Sequence, residues 1–229
     1  MTKLNKYLTH LPKVLIFTGL SIFILTNFQF AWAEIKFYYS FLTGAKYEIE
    51  VSRNVPVEKQ GFKNLVDDKS IKIKPSNTEF GIVIEKLNIN APIVKDVPVI
   101  NEKDYLEALK EGVAHASFSG YPNQENANVY LFAHSSYNFW ELGKYSSVFN
   151  QIHKLNLKDQ INVFYKGKRY VYEVENKILL NDFKVDETIY ESIGPSLTLQ
   201  TCYPAGTTLN RLVIRAALVG IFDYEGNGN

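Results

Sequence analysis

Leu197-Thr198-Leu199-Gln200-Thr201-Cys202 is a short run of alternating β-type residues that ends in the only cysteine of the 229-residue chain. After an eight-residue connection, Tyr203 to Asn210, a second such run begins with Arg211-Leu212-Val213-Ile214-Arg215 and continues to Val219. A hairpin of that length brings the chain back close to where it left, so Arg211 is predicted near the thiol. Arg215 shares its face by period-two alternation but lies about 13 Å farther along at ~3.3 Å per residue. A leftover cysteine in an exported chain is either an intermolecular bridge or a reactive thiol. Its surroundings favour a nucleophile.

A cysteine nucleophile needs a group to manage protons and a donor for the developing oxyanion. Asn128-Val129-Tyr130-Leu131-Phe132-Ala133-His134 is an apolar strand closed by a histidine, which places His134 at the rim of a sheet. Taken singly, His134 also reads as a strand-end histidine satisfied by hydrogen bonds, and Arg211 as one half of a surface ion pair. The other histidines are weaker candidates. His10 flanks the amino-terminal apolar run, His115 is expected in a loop after a helix, and His153 in a helical stretch from Phe149 to Leu155.

The rest of the chain from Phe80 onward consists of short β-branched and aromatic runs bounded by Asn, Gly, Pro and Asp, the pattern of a sheet-rich domain. Gly81 to Leu87 is expected to be the first strand, followed by Ala91-Pro92-Ile93-Val94. One helix interrupts them. Asn101 caps it, Asp104 stands at the third helical position of a capping box, and Ile100 and Tyr105 form a hydrophobic staple. Tyr105, Leu106 and Leu109 supply its buried stripe, and Gly112 ends it in the left-handed conformation. Gln160 to Tyr165 and Arg169 to Val174 flank Lys166-Gly167-Lys168, a hairpin loop with glycine where positive φ is needed. Roughly 150 residues are enough for one core.

Ahead of this domain, Lys3, Lys6 and Lys13 precede an uncharged apolar run from Val14 to Ala33, close to the ~20 residues that span a bilayer as a helix. Positive charge before the span predicts a cytoplasmic amino end and an extracytoplasmic remainder. Ala31-Trp32-Ala33 also resembles a signal-peptide cleavage site, but the apolar stretch exceeds the ~7–15 residues of a signal core. The expected organisation is therefore a cytoplasmic end (1–13), a retained transmembrane signal-anchor (14–33), an extracytoplasmic stalk (34–79), a sheet-rich domain (80–224) and a frayed polar tail (225–229). Without the three lysines of the first 33 residues the formal charge falls from +1 to −2, which excludes a nucleic-acid footprint.

Ala133-His134, Thr198-Leu199-Gln200-Thr201-Cys202 and Arg211-Leu212-Val213-Ile214-Arg215 together resemble the signature of the sortases. In that family a histidine follows the fourth barrel strand, a cysteine ends the seventh in a T-L-x-T-C motif, and an arginine begins the eighth. The resemblance extends from about Phe80 to Phe222. It departs at Ala133, where Gly is common, and at Glu85, where proline is common. The aspartate-proline-aromatic lid of the pilus-building sortases is not identified.

The resemblance implies a mainly β fold, a closed eight-stranded barrel with short helices. It implies a cysteine transpeptidase with His134, Cys202 and Arg211 as catalytic residues, and Thr201 and Ala133 as weaker substrate-binding candidates. The partners it implies are surface proteins with a C-terminal Leu-Pro-x-Thr-Gly-like sorting signal and an amine acceptor such as a cell-wall precursor. No cofactor or metal is implied. Calcium activates some sortases, but no acidic residues here are spaced as a dedicated calcium loop. L,D-transpeptidases and papain-like peptidases differ in motif or in the order of Cys and His. An anchored binding barrel that has lost activity is the alternative from a different class.

Overall fold

The computed structural model describes residues 3–45, 47–50, 71–135, 145, 147–181 and 194–224. It divides into two units, Met1–Gly44 and Ala45–Asn229. The first is a helix, α1, Lys3–Thr43, with Pro12 inside its early turns. Neither glycine nor proline occurs between Leu20 and Thr43, so the helix continues without a break into the segment expected to be stalk. It stops at Gly44, whose φ of 66° is the left-handed conformation that commonly ends helices. Among the described residues no helix is long and apolar enough to cross a membrane.

In the second unit, β1 (Tyr47–Ile49) and β2 (Ile71–Ile73) form a parallel pair. These strands also fall in the expected stalk, yet Ile49 and Ile73 are buried against Val83, Phe164 and Tyr224. Three-residue strands are too short to show alternation in a sequence. The frayed tail expected at 225–229 lies outside the described residues.

Eight further strands close into a barrel. In chain order they are β3 (Phe80–Ile84), β4 (Ile89–Val97), β5 (Val113–Ala116), β6 (Asn128–Phe132), β7 (Gln160–Tyr165), β8 (Lys168–Leu180), β9 (Ser196–Tyr203) and β10 (Asn210–Asp223). Around the barrel the order is β10-β8-β7-β3-β4-β5-β6-β9. Two pairings are parallel, β4 with β5 and β6 with β9. The first is made by a helical crossover, as parallel neighbours require. The interior is filled by one face of each strand, including Ile82, Ile84, Leu131, Ile161, Val163, Leu197, Leu199 and Ile214, all fully buried.

Several local expectations change. The first strand ends at Ile84, because Glu85–Leu87 forms a 3-10 turn whose end, Asn88, has φ 51°. The crossover helix α2 is Glu102–Glu111. Asn101 does cap it, accepting from the Lys103 N–H at 3.2 Å, but Asp104 accepts from the Asn101 side-chain amide at 2.7 Å. Ile100 is 96% exposed, so the staple is not formed. Gly112 is extended, with φ 173°, rather than left-handed. Its lack of a side chain serves a close approach instead, since a Cβ there would meet the Pro92 carbonyl oxygen at 2.3 Å. At the β7–β8 hairpin the loop is only Lys166 and Gly167, with φ 49° and 72°, the pattern of a type I′ turn. His115 belongs to β5 and is fully buried. Of the helical stretch expected around His153, a single 3-10 turn, Ile152–Lys154, is found.

Candidate active site

Cys202 lies next to last in β9 and Arg211 next to first in β10, and the antiparallel register sets them directly opposite each other. His134 follows the end of β6, the parallel neighbour of β9 on its other side. Three hydrogen bonds hold this junction. The Ala133 N–H donates to the Gln200 carbonyl at 3.2 Å, the Thr201 hydroxyl donates to the Ala133 carbonyl at 2.8 Å, and the Gly206 N–H donates to the Ser135 carbonyl at 3.1 Å. Backbone on both sides of His134 is thereby tied to β9 and to the β9–β10 connection.

Cys202, His134 and Arg211 line one cleft of about 330 Å³. Period-two alternation explains the rest of its wall. On β6, Tyr130 and Phe132 share the face that leads to His134, and on β9 Gln200 shares the face of Cys202. Both pairs line the cleft, and Tyr105 of α2 and Phe118 of the β5–β6 connection complete its aromatic side. The Tyr105 ring meets Phe132 edge-on at 6.4 Å, and Phe118 meets Tyr130 at 5.5 Å. The Tyr130 hydroxyl donates to Oε1 of Gln200.

Burial pushes the Cys202 thiol pKa up, and the positive charge of Arg211 partly offsets this. Burial thus favours the neutral thiol, and a thiol in this setting needs a base to act as a nucleophile. The Arg211 guanidinium donates to the Thr208 and Asn210 carbonyls at 3.3 and 3.2 Å, which holds its head at the mouth of the β9–β10 connection. Arg215 stands opposite Thr198 and Asn176 instead.

Of the weaker candidates, Thr201 and Ala133 also line the cleft, but both are buried. With its proton given to the Ala133 carbonyl, the Thr201 hydroxyl is placed to hold two strand ends together. The aromatic wall was missed at the level of sequence, although the alternation Tyr130, Phe132, His134 is visible in it. The connections 136–144 and 182–193 lie outside the described residues.

The barrel order, with a histidine after the fourth of its strands, a cysteine closing the seventh and an arginine opening the eighth, defines a sortase-type fold. Residues 82–219 match the model of the Sortase domain. The chain belongs to the sortase family, a family of cysteine transpeptidases. Among solved structures it is similar to sortase C-1 from Actinomyces oris, with 21% identity over 63% of this chain and 76% of that one and a TM-score of 0.52. The pilus-related sortase C of Group B Streptococcus aligns with 18% identity over 63% and 69% of the two chains, also at a TM-score of 0.52. Sortase A from Corynebacterium diphtheriae aligns with 20% identity over 66% and 64%, at 0.51. No match is found among curated proteins.

Proposed function

We propose that this chain is a membrane-anchored sortase that cleaves a Leu-Pro-x-Thr-Gly-like signal after threonine and joins the new acyl end to an amine. The observation that carries this reading is the convergence of Cys202, Arg211 and His134 on one cleft of a family barrel. His134 takes the proton of the half-buried thiol, and the thiolate attacks the threonine carbonyl. Arg211 stabilises the oxyanion that forms. As the carbon–nitrogen bond breaks, His134 returns a proton to the departing amine and leaves a thioester on Cys202. An incoming amine attacks the thioester and gives its proton to His134. The amide product forms and the Cys202 thiolate is released.

The substrates in this reading are surface proteins with a C-terminal sorting signal, and the acceptor is an amine such as that of a cell-wall precursor. Anchoring is supported by the uncharged run from Val14 to Ala33, the preceding lysines, and a helix on which Val14, Leu15, Ile16, Phe17 and Leu20 are each more than half exposed. Large apolar side chains distributed around a helix are suited to lipid. The catalytic barrel would then be extracytoplasmic.

The test is incubation of the full-length chain, in detergent, with a library of five-residue sorting peptides and an amine acceptor, read by mass spectrometry. With little amine, an adduct matching the peptide up to its threonine accumulates on Cys202 and disappears when amine is added. Product formed without that adduct in a single turnover, or by Cys202→Ala, overturns the mechanism.

A further inference from the structure

We propose that Gln200, oriented by Tyr130, is a specificity-determining residue that selects a peptide side chain carrying a hydrogen-bond acceptor within two residues of the acylated position. This rests on the transpeptidase reading above and deepens it.

Apart from the three reacting groups, the cleft is walled largely by apolar and aromatic side chains, with Phe118, Phe132, Tyr105 and Leu109 prominent among them. The Thr201 hydroxyl has already given its proton to the Ala133 carbonyl. The side-chain amide of Gln200 and the phenol of Tyr130 stand together on a wall otherwise rich in aromatic and aliphatic side chains, and they are bonded to each other, phenol to Oε1. With the phenol on Oε1, the amide points its Nε2 end away from Tyr130, and its N–H groups suit an oxygen acceptor on a ligand.

Position follows from the strand. Gln200 and Cys202 are two residues apart on one face of β9, about 6.7 Å at the rise of an extended chain. A peptide extended along the cleft with its scissile carbonyl at Cys202 advances at the same rise, so the residue facing Gln200 lies no more than two from the acylated one. An apolar side chain there leaves the amide desolvated without a partner, whereas Asn, Gln, Ser or Thr supplies one. A polar pair set in an apolar site is how a pocket discriminates between side chains of similar size.

The experiment scans each peptide position with Asn and Leu, nearly equal in size, and compares wild type with Gln200→Leu and Tyr130→Phe. At one position within two residues of the scissile bond, the Asn-to-Leu ratio of kcat/KM falls about tenfold in Gln200→Leu, the scale of one neutral hydrogen bond. The ratio falls less, in the same direction, in Tyr130→Phe, and it is unaltered at the other positions. Binding of the same peptides to Cys202→Ala, with and without Gln200→Leu, reads this preference without chemistry. If wild type forms no thioester but the binding preference is present, the catalytic reading fails and the Gln200 assignment stands. Ratios that do not change at any position, with all peptides losing equally as the thermal midpoint drops, show a purely structural pair and overturn the assignment. Absence of both turnover and binding overturns both.

Discussion

Cys202 and Arg211 face each other across the last rung but one of the β9–β10 ladder, so backbone pairing sets the two residues side by side, while the Thr208 and Asn210 carbonyls hold the guanidinium. The guanidinium lowers a thiol pKa that burial raises. Alkylation of Cys202 by iodoacetamide, followed against pH, should give a midpoint above the roughly 8.5 of a free thiol. In Arg211→Ala the opposing influence is gone and the midpoint should move higher still. A downward move would mean that Arg211 does not act on the thiol.

The same geometry separates two arginines of similar sequence setting. Arg211→Ala should lower kcat/KM by at least ~10²-fold, the scale for losing one oxyanion donor. Arg215 stands four residues along β10, opposite Thr198 rather than Cys202, and its alanine variant should change stability more than turnover. Peptide cleavage by the two variants, compared at equal folded content by circular dichroism, checks this. Equal catalytic losses would remove the distinction.

Gly112→Ala should destabilise the barrel by about 1–3 kcal/mol, the usual cost of overpacking. The added methyl would stand 2.3 Å from the Pro92 carbonyl oxygen, at the point where β5 begins beside β4. Urea unfolding gives the value, and an unchanged midpoint would show that the two strands separate at little cost.

Buried His115 makes stability depend on pH. Its Nδ1 accepts from the Asp96 N–H at 3.3 Å, so the proton sits on Nε2, which faces the Gly120 carbonyl and the Ser119 hydroxyl, each at 3.0 Å. Burial holds its pKa below the ordinary histidine value, against the opposing influence of the Gly120 carbonyl and the Asp96 carboxylate. The folded state therefore binds fewer protons than the unfolded state below about pH 6.5. The stability from keeping this ring neutral is complete above that pH and is lost as pH falls through the lower folded value. Thermal midpoints of wild type should fall over that window, and His115→Gln should show a flatter slope there. Parallel slopes would assign the acid sensitivity to other groups.

The sheet-rich domain and the meeting of Cys202, His134 and Arg211 at one cleft were readable because they rest on strong local patterns: alternation into Cys202, an apolar strand ending at His134, and a hairpin return that sets Arg211 beside the thiol. What lay beyond reading was set by tertiary contact. Tyr47-Glu48-Ile49 and Ile71-Lys72-Ile73 carry too little pattern to announce strands, and they are held by Val83, Phe164 and Tyr224. Gly112 looked like a helix stop because its partner, the Pro92 carbonyl, is distant in sequence. His115 follows a helix and so resembled a loop residue, while its burial comes from pairing with β4 and β6. The aromatic cleft required knowing which face of β6 and β9 turns away from the interior.

The parallel pairing of β6 with β9 joins segments 68 residues apart, as the Thr201–Ala133 hydrogen bond records. Contacts of such separation carry a large loop-closure cost and are characteristic of slow steps in folding. His134 and Cys202 belong to these two segments, so a chain still emerging or partly folded keeps the thiol and the imidazole apart. Under the proposed mechanism, activity arrives with closure of the barrel, and its appearance during refolding times the completion of the whole domain.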